Sequence, residues 1–200
     1  MKSNRSAPVI LAVLVAALAA GCHSEWGHVQ GDGNIESREI SARGFDSVTL
    51  SGVGNVRIRP GAYYRVVVTT DSNIQDIVTI SVNGASLDIG TRRGAKSPTR
   101  LDIDVYLPEL RGISLSGVGN FTVGSGEALS LEISVRGVGN VYAQDFQARA
   151  VDVRLLGVGN VEVWATDTLD GVISGIGSLR YKGNPRLGLD TGALGRVRQL

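Results

Sequence analysis

The chain has 200 residues, with 20 Lys+Arg against 19 Asp+Glu, so its formal net charge is +1. That balance excludes the strongly basic character on which nucleic-acid binding depends. A single cysteine excludes an intrachain disulfide framework, and 27 glycines with only 5 prolines and no triplet period exclude a collagen-like chain.

Lys2 and Arg5 form a positively charged beginning, Ala7 to Ala20 is an apolar run, and Ala19, Ala20 and Gly21 precede Cys22. This is the layout of a secretory signal that ends at a cysteine. The run falls short of the about 20 apolar residues that span a bilayer. LAAGC resembles the lipobox of bacterial lipoproteins, with Ala19 where Leu is commoner. The expectation is therefore a signal peptide over 1–22, diacylated at Cys22, and an exported chain. By the same resemblance, His23 after the cysteine favours the outer membrane over the inner one. Acyl chains hold by burying methylenes, each worth about 0.8 kcal/mol. The alternative is an ordinary cleavage site with Cys22 an incidental thiol. Residues 23–30, HSEWGHVQ, read as a polar tether, and they carry both histidines of the chain. Trp26 is placed to dip into the membrane interface.

From about Glu39 to Pro108 the pattern is β but irregular. Strands are expected near Ser47–Leu50, Val56–Arg59 and Tyr64–Thr70, with one helical turn over Asp71–Ile77. TISV-NG-ASLDIG reads as a hairpin around Asn83-Gly84, a pair suited to a type I′ turn. A loop from Thr91 to Arg100, basic at Arg92, Arg93, Lys96 and Arg100, leads to a strand over Leu101–Leu107. The loop reads as solvated; contact with anionic lipid head groups is the sharper reading.

The second half repeats itself. SGVGN stands at Ser51–Asn55 and Ser116–Asn120, RGVGN at Arg136–Asn140, LGVGN at Leu156–Asn160 and SGIGS at Ser174–Ser178. Gly117, Gly137, Gly157 and Gly175 are spaced 20, 20 and 18 apart, and Gly195 follows 20 later. Between the turns apolar residues alternate, as in Leu131, Ile133, Val135 and again Val151, Val153, Leu155. Period two with β-branched residues means strands. A unit this short buries nothing alone but stacks into a continuous core. The expected fold is all-β: a parallel β-helix-like solenoid with coils of about 20 residues over 109–200, preceded by the less regular β region of 31–108 with its hairpin. Val118, Val138, Val158 and Ile176 are expected as one inward column. Asn120, Asn140 and Asn160 are expected as an amide ladder of the kind seen in cross-β stacks, and the glycines at corners needing positive φ or close backbone approach. Trp164 is expected to follow a strand and to be packed.

On these residues the chain resembles the head GIN domain family. The features that match are the SGVGN turns, Arg38 with the following Phe45-Asp-Ser-Val, Asp71-Ser-Asn-Ile74, and the ending Tyr181-Lys-Gly-Asn-Pro185. The likeness runs from about Gly31 to the C-terminus. It implies a β-helix-like domain behind a signal or lipobox and an adhesin-like role in the bacterial envelope. It brings no catalytic or ligand residues.

GVGN could pass for a phosphate loop, but such loops need a following helix, and here strands follow every copy. Nucleophilic catalysis and His/Cys metal sites lack their histidine, since His23 and His28 sit in the tether. Carboxylates remain. Glu132, Asp152, Asp170 and Asp190 each stand five residues before a repeat glycine and are expected as an acidic column on the outer face. Like charges opposite each other are unfavourable. Arg136, Arg149 and Arg154 would offset them; the sharper reading is a hard cation such as Ca²⁺. The functional expectation is a non-enzymatic envelope lipoprotein: an adhesin-like binding or scaffold module facing an envelope protein or glycan, with no cofactor and no nucleic acid. Its open coil ends leave room for a homo-oligomer. The alternatives are a carbohydrate-active β-helix enzyme using the carboxylate column with an Arg or Lys182, and a purely structural envelope protein.

Overall fold

The computed structural model describes residues 30–92 and 98–200. The signal, Cys22, all but the last residue of the tether and residues 93–97 of the basic loop lie outside the described residues. Within them the chain forms fifteen strands and one 3₁₀ turn, Ser72–Ile74. The solenoid expected from the repeats is what forms, with coils of roughly 20 residues.

Each coil enters a glycine corner on one face and leaves on the other. On the entry face, β2 (Ser47–Leu50), β8 (Gly112–Leu115), β10 (Gly126–Val135), the second part of β11 (Val138–Leu155), the second part of β12 (Val158–Ile173) and β14 (Arg186–Thr191) stack in parallel. On the exit face, β3 (Val53–Pro60), β9 (Val118–Val123), the first parts of β11 and β12, β13 (Ile176–Lys182) and β15 (Gly195–Gln199) do the same. The inward side chains form columns. Leu50, Leu115, Val135, Leu155 and Ile173 stack on the entry face. Val56, Phe121, Val141, Val161 and Leu179 stack on the exit face. All ten are buried, each worth about 1.5–3 kcal/mol against exposure.

The less regular half completes one end. The hairpin forms as expected, β5 (Val78–Asn83) antiparallel to β6 (Ser86–Thr91), with Gly84 at φ 59°. β6 lies parallel beside β2, and β7 (Leu101–Leu107) lies parallel beside β3. Together they make a coil that stacks beneath the first SGVGN corner, although it comes later in the chain. β4 (Arg65–Asp71) pairs antiparallel with β7, and β1 (Ile35–Ile40) pairs antiparallel with β4. This end is therefore capped, and the cap is knitted by polar contacts. Arg38 donates to the Gln75 carbonyl at 2.9 Å, and buried Asp71 accepts from the backbone N–H of Gly33 and Thr99 at 2.9 and 2.8 Å.

Three sequence expectations need correction. Val118, Val138, Val158 and Ile176 do stack, but outward, and they are 49, 50, 43 and 55% exposed. Alternation runs back from the buried Phe121, Val141, Val161 and Leu179, and three residues is an odd offset, so the valines face solvent. The inward place at each corner is filled by backbone. Gly119, Gly139, Gly159 and Gly177 have φ of 152, 147, 151 and 154°, and a Cβ on any of them would overlap the glycine carbonyl one coil below. Second, Gly195 lies over Gly177, not over Gly175, because the last coil has 18 residues like the one before it. Third, Trp164 lies within β12, half-buried, with the Lys182 ammonium 5.9 Å from its ring centre.

Candidate binding faces

The acidic column stands on the outside of the entry face. Glu132 pairs in register with Asp152, and Asp152 with Asp170. Asp190 does not join them: the 18-residue coil places Gly188 over Asp170 and Asp190 over Val172. Of the arginines expected to offset this charge, Arg154 does so, its guanidinium 3.2 Å from Glu132 and 3.5 Å from Asp152. Arg149 is taken by Asp167 at 2.8 Å. The Ca²⁺ reading loses its geometry, since among the described residues no three acidic, His or Cys side chains converge on a point. Lys182 does not meet the column either; it lies in exit-face β13 and pairs with Asp145 at 3.4 Å.

A depression of about 300 Å³ opens on the same face below Glu132 and Arg154, floored by Ser47, Thr49, Ser114 and Ser134. Its floor is low because those columns carry small hydroxyl residues in the first coils and charged ones higher up. Ser134 is buried there, and its Oγ has no hydrogen-bond partner.

The outside of the exit face is organised differently. Val53, Val118, Val138, Val158 and Ile176 form an exposed apolar row. Beside it runs the amide ladder, longer than expected at both ends. Asn120 Nδ2 donates to Asn55 Oδ1 at 3.0 Å, Asn140 Nδ2 to Asn120 Oδ1 at 2.9 Å and Asn160 Nδ2 to Asn140 Oδ1 at 3.1 Å. Ser178 Oγ closes it on Asn160 Oδ1 at 2.7 Å. The ladder satisfies itself, so its part is to hold the coils in register rather than to take a ligand.

At the capped end this face carries an ion cluster. Asp102 is buried and receives Arg57 at 3.1 Å and Arg100 at 2.5 Å. Burial pushes its carboxyl up, but the hydrogen bonds and charge of Arg100 and Arg57 more than offset this and hold it below the ordinary carboxylate range. Nothing in the sequence alone marked this cluster, because Arg57 and Asp102 meet only once β7 inserts beneath β3.

A family model described as "Putative auto-transporter adhesin, head GIN domain" matches residues 44–125 and again 114–185. The chain belongs to this family. The two matches overlap at the second SGVGN corner, where the end of one unit is the start of the next. The fold of this head GIN domain is shared with the crystal structure of a putative adhesin from Bacteroides fragilis NCTC 9343. The two are 20% identical with a TM-score of 0.59, over 86% of this chain and 100% of that one. A putative adhesin from Parabacteroides merdae ATCC 43184 aligns at 17% identity and TM-score 0.47, over 86% of this chain and 99% of that one. A putative lipid binding protein from Parabacteroides distasonis ATCC 8503 aligns at 21% and 0.49, over the same shares of the two chains. No curated protein matches the chain.

Proposed function

We propose that this head GIN domain is a non-enzymatic, adhesin-like binding module, exported and held at the outer membrane by acyl chains on Cys22. The observation that carries the reading is the exposed row Val53, Val118, Val138, Val158 and Ile176. It is uncharged, and it stands on a backbone fixed by the amide ladder, so docking orders little. An exposed contiguous apolar strip marks an interaction surface, here one facing an envelope protein or glycan. The family description and the name of the Bacteroides fragilis relative, a putative adhesin, point the same way. The alternative of a carbohydrate-active enzyme is less well supported, because Glu132 and Asp152 are tied to Arg154 and Lys182 lies on the other face.

The test uses the full chain in intact cells. Val118→Asp, Val138→Lys and Val158→Asp together, with alternating charge on stacked positions, should abolish the cross-linked partners and surface adhesion that the wild type shows, at unchanged melting temperature. Unchanged capture would overturn the reading, and capture of no partner by the wild type would favour a purely structural envelope protein. For the anchor, labelled palmitate should enter the wild type and not Cys22→Ala.

A further inference from the structure

The two ends of the solenoid are built differently. One is closed by β1, β4 and β5, with Arg38, Gln75 and Asp71 fastening the cap. At the other, among the described residues β14 pairs only with β12 and β15 only with β13, so both present an open edge. Inward columns run out there uncovered. Leu187 continues the column of Leu131, Val151 and Leu169, which are at most 2% exposed, yet Leu187 itself is 47% exposed.

A free edge is a template for another strand, and proteins guard it with charge. β15 is guarded by Arg196 and Arg198, both exposed. β14 carries one exposed charge of each sign instead, and its sequence Arg186-Leu187-Gly188-Leu189-Asp190 is complementary to itself. Turned about Gly188 into an antiparallel pair, Arg186 meets Asp190 of the second copy, Leu187 meets its Leu189, and glycine meets glycine. Among the described residues neither Arg186 nor Asp190 has an ion-pair partner within the chain.

We infer that two copies of this chain join end to end, β14 pairing antiparallel with β14 of the second copy across a two-fold axis at Gly188. Such a join is closed, so it stops at a dimer. It covers Leu187 and Leu189 and turns the free edge into a continuous sheet. It does not depend on what the module binds.

Gly188→Cys in the full chain tests the axis. Residues directly opposite in an antiparallel pair have Cα atoms about 4.5–5.5 Å apart, within disulfide reach. The expected result in intact cells is a reducible dimer from Gly188→Cys and none from Asp190→Cys, whose own mate lies about 13 Å away. In the Gly188→Cys background, Arg186→Asp should abolish the cross-link and adding Asp190→Arg should restore it. A Cβ at Gly188 meets the exposed Asp170 carboxylate, a side-chain end that must swing aside, so melting of Gly188→Cys is measured beside that of Asp190→Cys, and the apolar row and ligand capture should be unaffected in both. Monomer from Gly188→Cys, equal cross-linking from Asp190→Cys, or indifference to the charge reversal would each overturn the inference. Its failure would leave the binding reading standing, since that rests on the exit face.

Discussion

Asn120 and Asn55 are 65 residues apart in sequence, and their side chains are joined by a 3.0 Å hydrogen bond. That contact puts the first SGVGN corner directly beneath the second, with the intervening chain folded back as the coil below and the cap. The ladder it begins should matter to stability. In Asn140→Ala, the backbone N–H of Asn160 and the Asn160 amide both lose their acceptor, and Asn120 loses a donor. A cost of about 1–3 kcal/mol is expected, with a smaller one for Asn140→Ser, because Ser178 already ends the ladder as a donor. Chemical denaturation measures both.

Gly139→Ala should be far worse than its chemistry suggests. The new Cβ would overlap the Gly119 carbonyl at a φ of 147°, combining backbone strain of about 1–3 kcal/mol with a displaced coil. Gly124→Ala is the control. Its Cβ would meet the Ile58 carbonyl at an ordinary 3.5 Å, so it should be neutral or raise stability by up to about 1 kcal/mol. Equal melting temperatures for the two variants would refute the close-stacking argument.

The outward placement of the valines is checked by comparing Val158→Thr with Phe121→Ala. Val158 is 43% exposed and Phe121 is fully buried. The first should change stability by no more than about 0.5 kcal/mol and the second should cost about 3–5 kcal/mol.

Asp102 predicts an acid dependence. Its folded pKa lies below the ordinary value, so its contribution is fully present above the unfolded carboxylate range near 4 and is lost as pH falls through the folded value. Asp102→Asn should cost about 1–3 kcal/mol at neutral pH. It should also make the melting temperature less sensitive to acid between about pH 5 and 2. An unchanged acid slope would show that the carboxylate is not held by Arg57 and Arg100.

Much of this architecture is readable from the residues because a period of two and a fixed corner leave few ways to stack. The hairpin at Asn83-Gly84, the strand at Leu101–Leu107 and the amide ladder follow from local chemistry and appear as expected. The direction of Val118 does not, because it depends on whether side chain or backbone fills the corner, and glycine looks alike in both cases. Asp190 and Gly195 were displaced by one cause, an 18-residue coil where 20 was carried forward. The Arg57–Asp102 pair was beyond reach, since only the fold shows which coil β7 joins.

The position of that coil bears on how the chain comes to be folded. β2 and β3 are flanked on one side by β6 and β7 and on the other by β8 and β9. A polypeptide released from its N-terminus onward therefore adds its second coil on one side of the first and its third on the opposite side. The third coil thus closes on a corner 65 residues earlier in the chain, and such distant pairing makes assembly slow.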